Sequence, residues 1–142
     1  MKIYLAGPIG NVTDEEASQW RDTARDHLKS LGIQVSDPTN RPYIPGNEEW
    51  LIQGDLNEIR SADGIIAHIP PGVEFHGTSM EIFFAGFVEK KPVWSWPLQA
   101  SPWLMYWSNQ HETLDDVLYS IEEYQNALKV IGKYDYGCSR EV

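Results

Sequence analysis

The sequence is short of cations. Eleven Lys and Arg stand against 21 Asp and Glu, for a formal net charge of −10. Binding a polyanion begins with clustered cations on one face, so this balance argues against a nucleic-acid-binding protein. It argues equally against a protein held on anionic lipid. Cysteine is nearly missing: Cys138 is the single one. No internal disulfide is available, and a reducing compartment is the simple expectation. No apolar run approaches the ~20 residues of a membrane-spanning helix. The opening MKIYLAGPIG has one Lys and a short apolar stretch broken by Gly7 and Pro8. It is too short for a signal peptide and reads as a first strand. A soluble, cytoplasmic protein is expected, with no nucleic-acid and no membrane partner.

Familiar chemical signatures are missing too. Gly7-Pro8-Ile9-Gly10 is not a dinucleotide-binding G-x-G-x-x-G, and there is no P-loop. No G-x-S-x-G nucleophile elbow occurs. His27, His68, His76 and His111 lack zinc-ligand spacing, and Cys138 has no second thiol beside it. Neither a metal nor a cofactor is expected.

What is present is a core and an alternating pattern. Hydrophobic residues make up 42% of the chain and aromatics 12%, including six Trp. That is enough to exclude disorder. Residues 1–142 are expected to form one domain. Lys2 to Ala6 is a short apolar run ended by Gly7-Pro8, a buried strand. Thr13 with Glu16 forms a capping box, and Ala17, Trp20, Ala24, Leu28 and Leu31 follow at helical spacing up to Gly32. Ile33 to Val35 reads as a second strand. Residues 37–47 hold three prolines and form a loop; Glu48 to Arg60 reads as a helix. Gly64 to Ile69 is the clearest strand. A helix is expected from about Met80 to Glu89, and a strand over Pro92 to Trp96. Residues 97–111 read as irregular, and Thr113 starts a last helix. The alternation implies an α/β three-layer sandwich, a parallel flavodoxin- or Rossmann-like sheet of four to five strands with helices on both faces. Ligands in such sheets sit beyond the carboxyl ends of the strands. Those ends carry the polar and glycine-rich segments.

Three side chains at that edge carry possible chemistry. Glu81 stands in G-T-S-M-E, at the start of the helix expected there. A carboxylate near free amides is favoured in its ionised form, which suits a nucleophile. The plain alternative is ordinary acidic decoration of a first turn. The apolar I-F-F-A-G-F that follows makes solvent decoration a poorer account. Asp55, in G-D-L-N-E-I, reads equally well as a surface residue after a helix-weakening Gly54 or as a functional carboxylate. Tyr4 is core by default, or orients a carboxylate through its hydroxyl. His68 reads as a satisfied core residue and His76 as a cleft-edge contact. Cys138 has no fixed base beside it and reads as inert. Paired carboxylates without a metal or cofactor are the equipment of glycosyl-bond chemistry.

From Tyr4 to about Trp107 the sequence resembles the nucleoside 2-deoxyribosyltransferase family. The resemblance rests on K-I-Y-L-A-G-P, on D-L-N-E-I followed by A-D-G-I-I, on G-T-S-M-E-I-F-F-A-G, and on W-L-M-Y-W. It implies transfer of 2-deoxyribose between nucleobases by double displacement. Glu81 matches the nucleophile, Tyr4 the tyrosine that positions it, and Asp55 the aspartate that assists protonation of the departing base. Met105 matches a methionine supplied by the neighbouring subunit. Gly7, Ile9, Trp50, Glu74, His76, Gly77, Ser79 and Met80 are the accompanying candidate substrate contacts, Trp50 as a stacking surface for the base. Two positions depart from the pattern. Six residues before Glu81, where the family has an acid, stands Phe75, flanked by Glu74 and His76. Before L-M, where a polar residue is expected, stands Trp103.

The second reading is an N-hydrolase of nucleoside 5′-monophosphates, from the same superfamily. It needs a phosphate site, and Gly7 to Thr13 has no Arg or Lys. Backbone amides at Gly10 and Asn11, with Arg41, are what the chain offers. A third is a non-catalytic nucleotide-binding module, since fold does not fix function. The expected partners are nucleosides and free nucleobases. Trp94, Trp96, Trp103, Tyr106 and Trp107 exceed what one irregular stretch can bury. A homo-oligomer, a dimer or a hexamer built from dimers, is therefore expected, with each site completed by a neighbour.

Overall fold

A computed structural model describes the backbone of residues 1–138 and the side chains of residues 1–132; the side chain of Cys138 lies outside the described residues. Strands and helices alternate as expected: β1 (Lys2–Ala6), α1 (Asp14–Ser30), β2 (Gln34–Ser36), α2 (Glu48–Ser61), β3 (Gly64–His68), α3 (His76–Phe83), β4 (Val93–Trp96), α4 (Pro102–Trp107), β5 (Asn109–Gln110) and α5 (Leu114–Cys138). Among the described residues the sheet has five strands in the order β2-β1-β3-β4-β5, every pair parallel. The chain order reverses beside β1, between β2 and β3, and that is where such sheets open a crevice. Among the described residues, no helix is long and apolar enough to cross a membrane.

Local chemistry sets the element ends. The Thr13 side chain accepts from the Glu16 amide, and the Thr13 amide donates to Glu16 Oε2 at 2.9 Å, closing the capping box. At the far end Gly32 takes φ +73°. The amide of Ile33 bonds the carbonyl of Leu28 and that of Gly32 the carbonyl of Lys29. This is the paired C-terminal cap that a left-handed glycine permits. It consumes Ile33, and so β2 begins at Gln34 rather than at Ile33. The loop before α2 contains one short 3-10 turn, Pro38–Asn40, capped by the Asp37 side chain.

Three further boundaries differ from expectation. Helix α3 begins at His76, four residues before Met80. Its N-cap, Phe75, makes no side-chain capping bond, so the sequence carries no start signal there. After Phe83 the helix widens into one π turn, Phe84–Val88, closed by a bond from the Glu89 amide to Phe84. The stretch 97–111 is not irregular: it holds α4 and β5. Pro102 fits the first turn of α4. β5 is two polar residues, Asn and Gln, with no apolar pattern to announce it.

The strands alternate strictly between two faces. Ile3 and Leu5 of β1, Ile66 of β3, and Trp94 and Trp96 of β4 pack under α1 and α5 with Trp20, Leu28, Val117 and Ile121. Tyr4, Ala6, Ile65, Ala67 and Val93 face the other way, towards Ile59 of α2, Ile82 of α3 and Ala85 just beyond it. Trp94 and Trp96 are thus core residues, 3% and 8% exposed. This corrects the expectation that the aromatic stretch as a whole is too large for the core. Only Trp103 and Tyr106, at 70% and 78%, stay exposed.

Candidate active site

The parity of β1 puts Tyr4 on the α2–α3 side of the sheet, fully buried. Its hydroxyl donates to Glu81 Oε2. Asp55 reaches the same place from α2, and its negative charge acts on both Tyr4 and Glu81. Three residues far apart in sequence therefore converge, as the resemblance implies.

The electrostatics differ from the expectation for a first-turn carboxylate. Glu81 is the sixth residue of α3, beyond the free amides of the helix start. The helix end therefore does not hold it ionised. Glu81 keeps partial solvent access, yet its carboxyl group is closely surrounded by protein. That desolvation pushes its pKa up to about 7, with the charge of Asp55 adding to the rise. The Tyr4 hydroxyl and the charges of Arg21 and Arg41 oppose it. Burial, and then the charges of Glu81 and Asp55, push the Tyr4 phenol far above its ordinary value, so it remains a donor.

Two arginines stand beside these residues: Arg21, which the sequence does not single out, and Arg41, which it offers to a phosphate and which instead pairs with Asp55. Arg21 is fully buried. It donates to the carbonyls of Ala17 and Gly7 at 2.7 and 3.0 Å, stacks on Trp20, and has Asp37 at 3.7 Å. Burial lowers its pKa, while Asp37 and Glu81 oppose that. The available signal was an Arg four residues after Ala17, on the apolar stripe of α1. Arg41 donates to Asp55 Oδ1 through Nη2 at 2.6 Å and through Nε at 3.2 Å. The available signal there was the lone Arg of a proline-rich loop.

The accompanying candidates are distributed unevenly. Gly7 is buried beneath Trp20 and Arg21, where a Cβ would stand 2.9 Å from the Trp20 ring. Ile9 is exposed, 41%. The Asn11 amide reaches the Glu74 carbonyl at 3.5 Å, tying the first loop to the β3–α3 loop. The side chains of Glu74 and His76 are exposed and lie 3.7 Å apart. Phe75 instead packs against the core. Trp50 is exposed in the first turn of α2. Five residues of helix turn it roughly 140° away from Asp55, so the two do not share a face. Gly77 and Met80 are exposed, and the Ser79 hydroxyl donates back to the His76 carbonyl. Ser79, Met80, Phe75, Phe83, Trp103 and Trp107 line an apolar cavity of about 430 Å³. Met105 is 66% exposed on α4. His68 stacks on Trp96 at 4.3 Å, and burial lowers its pKa to about 4, so it is neutral.

Comparison with known proteins agrees with this fold. A family model described as Nucleoside 2-deoxyribosyltransferase matches residues 3–127. A solved 2-deoxyribosyltransferase of Bacillus psychrosaccharolyticus is 27% identical, with a TM-score of 0.55 over 67% of this chain and 71% of that one. A CMP N-glycosidase of Clostridium botulinum superposes at TM-score 0.61 and 17% identity, over 87% and 99% of the two chains. A 2-deoxyribosyltransferase of Leishmania mexicana reaches 0.66 at 17% identity, over 86% and 97%. At 17% identity these two share the fold. Comparison with curated proteins gives no match.

The raised Glu81 carboxyl has a consequence for stability. The folded state binds this proton more tightly than the unfolded chain, so the contribution of Glu81 is fully present below about pH 4.5 and is lost as pH rises through about 7. Glu81→Gln, neutral at every pH, is expected to be more stable than wild type at pH 8 by on the order of 3 kcal/mol. The difference shrinks towards pH 4.5. Urea unfolding midpoints at both pH values measure it, and a pH-independent difference would contradict the assignment.

Proposed function

The chain belongs to the nucleoside 2-deoxyribosyltransferase family, and from that premise we propose that it moves 2-deoxyribose between nucleobases through a covalent glycosyl–Glu81 intermediate. The observation that carries this reading is the Tyr4–Glu81 hydrogen bond facing Asp55. Tyr4 occupies one carboxylate oxygen and leaves the other to attack C1′ of the sugar. The bond from C1′ to the base nitrogen breaks, its electron pair leaves with the base, and Asp55 assists protonation of that base. A second base then attacks C1′ and releases Glu81. The transition state gathers positive charge on the sugar, and an anion held in a low-dielectric setting stabilises it strongly.

A neutral nucleoside fits this site better than a nucleoside monophosphate. The loop from Gly7 to Thr13 has no cation, and Asp14, Glu15 and Glu16 follow at the start of α1. Arg41, the side-chain cation that the sequence reading offers to a phosphate, is engaged with Asp55. A second copy of the chain is proposed to cover the α3–α4 face, where Met80, Trp103, Met105 and Tyr106 are each at least two-thirds or so exposed. Met105 would then reach the neighbour's site.

Three measurements test these statements. Incubation of a deoxynucleoside with a second free base is expected to give exchange, and Glu81→Ala to slow it by about 10³-fold or more. Exchange by Glu81→Ala at the wild-type rate would sink the mechanism. Free base released from a deoxynucleoside monophosphate alone, without exchange, would establish hydrolysis instead. The acid limb of kcat/KM is expected near pH 7, where Glu81 ionises. Tyr4→Phe removes a hydrogen bond that lowers the Glu81 pKa, so the limb moves to higher pH and kcat falls about 10- to 100-fold. An unmoved limb contradicts the role of Tyr4. Light scattering at micromolar concentration is expected to give a multiple of the chain mass; a monomer would defeat the covered face.

A further inference from the structure

We propose that Arg41 is a positioning residue for Asp55, and that the bare backbone at Gly54 is what lets it act. This rests on the role given to Asp55 above. Arg41 lies in the loop between β2 and α2, and its side chain runs back along the helix instead of out into water. A Cβ on Gly54 would stand 3.0 Å from both Cδ and Nε of Arg41. Helix α2 thus carries a groove one methyl deep, and the arginine stem fills it. Only 17% of the Arg41 side chain is exposed.

The guanidinium is fixed at both ends. Nη2 and Nε converge on Asp55 Oδ1 at 2.6 and 3.2 Å. Nη1 lies 3.7 Å from Glu58 Oε1. Glu58 is itself anchored, accepting from the Ser36 hydroxyl at 2.5 Å and from Lys2 Nζ at 3.1 Å. Asp55 is therefore braced through Arg41 and Glu58 against the edge of the sheet.

Stability is a poor reason for this arrangement. Glycine inside a helix weakens it, and a partly exposed ion pair returns little. Geometry is the better reason. Arg41 donates both of its bonds to one oxygen of Asp55, and no described residue hydrogen-bonds the other. The carboxyl group cannot swing, and Oδ2 becomes the oxygen presented to the leaving base. Placement of a proton donor within a fraction of an ångström is the kind of effect that moves kcat without moving substrate affinity.

The test is a double-mutant cycle on the wild-type reaction, read as kcat and KM separately. Arg41→Ala is expected to lower kcat about 10- to 100-fold with KM little changed. Asp55→Asn lowers it too, and the Arg41→Ala/Asp55→Asn double variant is expected to be no slower than Asp55→Asn alone. Gly54→Ala is expected to lower kcat in the wild-type background and to add nothing in the Arg41→Ala background. Millimolar guanidinium, far below denaturing levels, is expected to restore part of the activity of Arg41→Ala and none of that of Asp55→Asn. Should Arg41→Ala fail to fold, Arg41→Lys keeps the charge without the fork and is expected to show the same kcat loss. Losses that multiply in the double variant, or a loss that appears in KM alone, overturn the proposal while leaving the transferase reading in place. A wild-type chain that neither exchanges nor releases base overturns both.

Discussion

The candidate site depends on one contact, the hydrogen bond from the Tyr4 hydroxyl to the Glu81 carboxylate. A carboxyl group placed among apolar packing is pushed towards its neutral form. Glu81 is pushed that way by burial and by Asp55, and is drawn back by Tyr4 and by two arginines. The result is a group that titrates near neutrality. For the nucleophilic role proposed above, such a group is ionised often enough to attack and poorly enough solvated to be reactive. A tyrosine on the opposite face of β1, or a Glu81 in solvent, would have neither property.

That contact in turn depends on the sheet. In β1, Tyr4 lies between Ile3 and Leu5, which face α1 and α5. A slip of one residue would send the hydroxyl to the wrong layer. The register with β3, Tyr4 against Ile65 and Ala6 against Ala67, pins the strand. The same two-sidedness separates the aromatic residues. Trp20, Trp94 and Trp96 fill the α1–α5 layer, while Trp103 and Tyr106 remain outside on α4. Tryptophan content alone does not distinguish the two uses.

Charge shows a similar division. Much of the net −10 is spread over solvated helix faces, such as Asp115, Asp116 and Glu123. The carboxylates shielded from solvent are compensated individually, Asp55 by Arg41 and Asp37 by Arg25 and Arg21. Glu81 has a phenol and distant cations rather than a direct ion pair. Among these three it is the carboxylate left without a guanidinium on it, which suits the role proposed for it.

The sequence by itself determined the alternation of strands and helices, the capping box of α1, and the identity of Tyr4, Asp55 and Glu81 as candidates. These are readable because they follow from local rules: apolar periodicity, hydroxyl caps, and breaks at Gly and Pro. It did not determine where α3 begins, since Phe75 offers no capping chemistry, nor that β5 exists, since two polar residues carry no period. Trp50 looked like a neighbour of Asp55 because five residues are few; helical geometry turns them apart. The ionisation of Glu81 was read from a helix end, and the tertiary structure replaced that cause with burial. Arg21 does not stand out as a site residue, and Arg41 reads as a phosphate contact rather than as the partner of Asp55, because the meaning of both lies in partners distant in the fold. Only the folded chain decides which charges share a low-dielectric space, because desolvation and Coulomb interaction depend on distance through space and not along the sequence.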